Sequence, residues 1–65
     1  MRIELNGESI EVSETCLSEI LDECGYQNAR IATALNGEIV HKQSRHETSL
    51  SEGDRLEIVA PIFGG

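Results

Sequence analysis

The residues best placed to do chemistry stand at the end of the sequence: Pro61, Ile62, Phe63, Gly64 and Gly65. Two consecutive glycines open backbone angles closed to other residues and let the main chain pass where any Cβ would collide. A carboxylate on such a tail can be pushed deep into a narrow slot of another protein. That arrangement suits a terminus whose carboxyl group is itself the reacting group. An exposed end that merely carries two glycines is the competing reading, because chain ends are commonly loose. The tail alone does not decide between the two.

Other reactive side chains are present, but their spacing is poor. Cys16 and Cys24 lie in one helical stretch, where a rise of about 1.5 Å per residue sets them ~12 Å apart, too far for a disulfide. Both read as small core or half-buried residues. His41 and His46 fall in a polar segment without the further ligands a zinc site requires, so no metal is expected. Ser, His and Asp all occur, yet nothing in the sequence positions them as a triad. Neither Asn-Gly turn carries the lysine and helix of a phosphate-binding loop.

A chain of 65 residues has room for one domain. At this size only about 60% of the unfolded surface is buried, which leaves little core for an enclosed substrate cavity. The reading is therefore a non-enzyme. Twelve acidic against five basic residues give a net charge of −7. Such a surface repels phosphate backbones, argues against nucleic acid and favours a basic docking face on another protein. There is no leader or membrane-spanning run, so the expected location is cytoplasmic.

The elements that must hold out the tail follow from periodicity. Met1 to Leu5 alternates, Asn6-Gly7 supplies the turn, and Glu8 to Val12 alternates again, predicting a hairpin. Leu17, Ile20, Leu21 and Cys24 make one apolar helical stripe, with Thr15 as N-cap and Gly25 as the stop. Tyr26 to Arg30 reads as a polar loop and Ile31 to Leu35 as a central strand. Asn36-Gly37 repeats the hairpin signal before Glu38-Ile39-Val40. Lys42 to Thr48 has no clear period and is read as a loop or short helical turn, with Leu50 as an anchor into the core. Leu56 and Ile58 then define the last strand. The order β-β-α-β-β-β, with a right-handed crossover through the helix, gives an α+β fold of the β-grasp type. It has a mixed sheet of four to five strands with one main helix packed on one face. Residues 1–60 are expected to form the domain and 61–65 a flexible tail.

On these residues the chain resembles the ThiS family of sulfur carriers of thiamine biosynthesis, which are ubiquitin-like β-grasp proteins. The resemblance rests on Ala34-Leu35-Asn36-Gly37-Glu38-Ile39-Val40, on Leu50 to Ile58, and on Gly64-Gly65 at a fixed spacing from both. It implies that the Gly65 carboxylate is adenylated by an enzyme related to ubiquitin-activating enzymes. Sulfur from a cysteine desulfurase then replaces AMP, and the resulting thiocarboxylate serves thiazole synthase. Pro61, Ile62, Phe63 and Gly64 would enter the partner. The carrier is expected to be a monomer when free and to bind no cofactor, ATP and Mg²⁺ belonging to the partner. A molybdopterin-synthase small-subunit-like carrier and a ubiquitin-like modifier or binding module are the alternatives. Three residues depart from the family pattern: His41 where proline is common, Arg45 where an aromatic is frequent, and Phe63 where a smaller residue is usual. The first two are read as changes to a surface loop.

Overall fold

The computed structural model describes residues 1–26 and 30–60. Its elements are β1 (Arg2–Leu5), β2 (Glu8–Glu11), α1 (Leu17–Glu23), β3 (Ala32–Leu35), β4 (Glu38–Val40), a 3₁₀ segment (Lys42–Glu47) and β5 (Arg55–Val59). The strands form one mixed sheet in the order β2-β1-β5-β3-β4. The last strand is thus the middle one, parallel to β1 on one side and antiparallel to β3 on the other.

Both hairpins turn through an Asn-Gly pair at positive φ, 50° and 85° in the first and 51° and 87° in the second. These angles match the mirror-image turns whose twist suits the flanking strands, and glycine takes them without a Cβ penalty. Strand alternation then sorts the faces. Ile3, Leu56 and Ile58 point inward and pack with Leu17, Ile20 and Leu21 of α1, joined by Val12 and Leu50. Leu17 and Ile20 are fully buried. On the other face the opposed pairs Ala34 with Ile39 and Ala32 with Val59 are directed away from the helix. Ile39 and Val59 stay 72% and 62% exposed.

The helix begins later than the sequence suggests. Thr15 is not its N-cap: Cys16 holds that position and makes no side-chain cap bond. The reason is a tie to a distant segment. Leu17 N–H donates to the Thr48 carbonyl at 2.8 Å, and Leu50 N–H donates to the Thr15 carbonyl at 2.8 Å. Cys16 and Ser49 pair as an isolated bridge, so the chain before α1 is held extended and one otherwise unpaired N–H of the first turn is met by backbone. The helix end follows expectation. Gly25 N–H donates to Asp22 and Tyr26 N–H to Leu21, with Gly25 at φ 89°, a glycine-terminated cap. The sheet has all five strands of the expected range, and the predicted Leu50 anchor is buried.

Candidate functional site

The tail residues singled out in the sequence, Pro61, Ile62, Phe63, Gly64 and Gly65, lie outside the described residues, as does the loop stretch 27–29. What the structure describes is the strand that carries them. β5 is held on both flanks by backbone ladders, and each Asn-Gly turn adds a side-chain grip. Asn36 Oδ1 accepts from Arg55 N–H at 2.9 Å, and its Nδ2 donates to Asp54 Oδ1 at 3.2 Å. Asn6 Oδ1 accepts from Ile58 N–H at 2.8 Å, and its Nδ2 donates to the Ile58 carbonyl at 3.2 Å. One turn therefore fastens the start of β5 and the other its end. Glu4, both turns, Arg55 and Glu57 line a shallow open groove across β5.

Sequence reasoning missed both grips. Asparagine was chosen in each turn where aspartate or glycine would turn as well. That shared choice was the available signal, since only the carboxamide offers a donor and an acceptor together.

Arg45 is a second correction. It is a half-buried clamp, and its effect reaches beyond a surface loop. Its Nε donates to Thr33 Oγ1 at 3.1 Å and its Nη2 to the Ile31 carbonyl at 2.8 Å, tying the 3₁₀ segment to β3. The Lys42–Glu47 stretch, ambiguous in sequence, winds because Ser44 N–H donates to His41 and Thr48 N–H to Arg45.

Cys16 and Cys24 sit at opposite ends of α1 as free thiols. The Ser18 hydroxyl, 3.3 Å from Cys16 Sγ, lowers the Cys16 pKa below the usual thiol value. Burial, with the Glu23 carboxylate adding to it, raises that of Cys24. His41 and His46 are exposed. Among the described residues no group of three or more His, Cys, Asp or Glu is placed to hold a metal, and no helix is long and apolar enough to cross a membrane.

A model of the ThiS family matches residues 2–65, so the matched span runs through Gly64-Gly65. This chain belongs to the ThiS family. A crystal structure of thiamine biosynthesis protein ThiS from Geobacter metallireducens superimposes with a TM-score of 0.86 at 26% identity, all of each chain being covered. A solution structure of a thiamine biosynthesis protein from the same organism gives 0.78 at 25% identity, covering this chain fully and 88% of that one. The fold is accordingly the ubiquitin-like β-grasp. In sequence, the chain is 39% identical over its full length to part of a thiazole synthase of Paramagnetospirillum magneticum, of which it spans only 20%. An uncharacterised protein of Porphyra purpurea is 30% identical over 97% of this chain and 90% of its own.

Proposed function

We propose that this ThiS-family chain is a sulfur carrier that works through the carboxylate of Gly65. The observation that carries the reading is the family match running through Gly64-Gly65, which follow in sequence a strand fastened along both sides.

A carboxylate is a poor electrophile because its charge is spread over two oxygens. Attack of that carboxylate on the α-phosphorus of ATP expels pyrophosphate and leaves an acyl-adenylate. A persulfide sulfur then attacks the acyl carbon and AMP departs. A second thiol reduces the acyl disulfide, leaving the thiocarboxylate. The partner supplies ATP, Mg²⁺ and stabilisation of the developing charge. The carrier supplies an acyl carbon with no side chain beside it. The partners are an adenylyltransferase of the ubiquitin-activating type, a persulfide donor such as a cysteine desulfurase, and thiazole synthase as acceptor. The thiazole synthase relative supports the last of these, because a carrier-like stretch occupies a fifth of that chain.

The test is the intact mass of protein purified from its native host, with a Gly65 deletion alongside. One oxygen replaced by sulfur, absent in the deletion, is the expected result. A conjugate to lysine would make the chain a modifier instead, and an unaltered mass with full activity of the deletion would end the proposal.

A further inference from the structure

The two hairpins treat β5 alike, but they grip it at different ends, and only one end leads to Gly65. β1 gives up its backbone ladder where the chain turns away at Asn6-Gly7: the last paired residues are Leu5 and Leu56, and the last main-chain bond runs from Asn6 N–H to the Leu56 carbonyl at 3.0 Å. The next rung of a parallel pair would serve Ile58. The Asn6 carboxamide takes both Ile58 groups, accepting its N–H and donating to its carbonyl. One side chain thus stands in for the missing stretch of strand.

We propose that Asn6 is a positioning residue for the proposed acyl transfer, fixing the point from which the chain sets out toward Gly65. The inference rests on the carrier reading above. Ile58 lies seven residues before Gly65, a reach of roughly 23–25 Å when fully extended. With Asn6 gone, the last hold on the β1 flank moves back to Leu56, and the end of β5 is left to β3 alone, through Thr33 opposite Ile58 and Ala32 opposite Val59. A strand end held on one flank frays more readily than one held on two, and must be ordered again each time the partner engages the end. That loss falls on binding and spares the chemical step, because no Asn6 atom takes part in the reaction.

The second turn supplies a matched control. Asn36 holds the Arg55 N–H at the far end of the same strand, so its loss weakens the domain without loosening the exit. Glycine is the substitution to use at both positions, since it keeps the positive φ of the turn and removes only the carboxamide. The measurements are amide hydrogen exchange at Ile58, thermal unfolding, and ATP–pyrophosphate exchange by the host's adenylating enzyme with the carrier as varied substrate. For Asn6→Gly, faster Ile58 exchange and a rise in KM of about 3- to 10-fold at unchanged kcat are expected, as for loss of one or two hydrogen bonds. Asn36→Gly should lower the unfolding temperature comparably while KM stays within about two-fold of the unaltered chain. Equal KM changes in both variants would reduce Asn6 to a stabilising residue and overturn the proposal. So would an Ile58 amide that exchanges no faster. If the unaltered chain supports no exchange while its Gly65 is intact, the carrier reading itself has failed and the positioning role falls with it.

Discussion

Arg45 reaches from the 3₁₀ segment to Thr33 in β3, its Nε 3.1 Å from the threonine hydroxyl. That hydroxyl passes the bond on, donating to the Val40 carbonyl of β4 at 2.8 Å. Thr33 is only 2% exposed, so a buried polar atom is satisfied by its partner across the hairpin, Val40, and by Arg45 twelve residues on. The 3₁₀ segment, β3 and β4 are thereby locked by one relay.

Breaking that relay should cost stability without touching the tail. Arg45→Ala is expected to lower unfolding free energy by about 1–3 kcal/mol, because Thr33 and the Ile31 carbonyl lose a charged donor. Thr33→Val should cost about 1–2 kcal/mol for the same reason seen from the other side. The double variant should cost less than the two losses added, since the residues share a bond. Urea unfolding of the four proteins measures this, and strict additivity would contradict it.

Glu23 gives the fold an acid sensitivity. Its carboxylate accepts from Ser13 N–H at 3.0 and 2.9 Å and from Glu14 N–H at 3.2 Å, closing the link between β2 and α1. The Ser13 backbone bond, aided by Glu14, holds its pKa below the ordinary 4.5. A carboxyl depressed in the folded state binds its proton less readily there than when unfolded. Its stabilising contribution is thus present above pH 4.5 and is lost as pH falls through the folded value. Thermal unfolding from about pH 6 down to pH 3 should show Glu23→Gln losing less stability than the unaltered chain. Parallel curves would count against the linkage.

The two thiols should differ in reactivity. The thiolate is the reacting form, and Cys16 is shifted toward it while Cys24 is shifted away. Iodoacetamide at neutral pH, followed by peptide mass analysis, should label Cys16 first. Because the pair caps opposite ends of one helix, oxidation should yield no internal disulfide.

Ile39 tests the opposite limit. At 72% exposure it supports little of the core, so Ile39→Ser should stay within about 0.5 kcal/mol of the unaltered stability. A loss approaching that of a buried leucine would place Ile39 in packing that the fold does not show.

Much of this was legible in the residues because it is local. Asn-Gly fixes a turn, alternating Ile3 and Leu5 fixes a face, and the Leu17-Ile20-Leu21 stripe fixes what α1 buries. What stayed hidden depends on residues distant in sequence. No periodicity tells that Thr48 will meet the first turn of α1, which is why Thr15 was a sound N-cap candidate and yet not the cap. The Arg45 clamp and the Asn6 grip are likewise side chains bonding to backbone fourteen and more positions away. What two glycines suggested about Pro61 to Gly65 lies outside the described residues.

The middle placement of β5 has a mechanical consequence. A tug on the last residues would load that strand lengthwise, against rungs on two sides at once. An edge strand would oppose the same lengthwise pull with rungs on one side only. Whatever draws the end of this chain inward would therefore be pulling against two neighbouring strands at once.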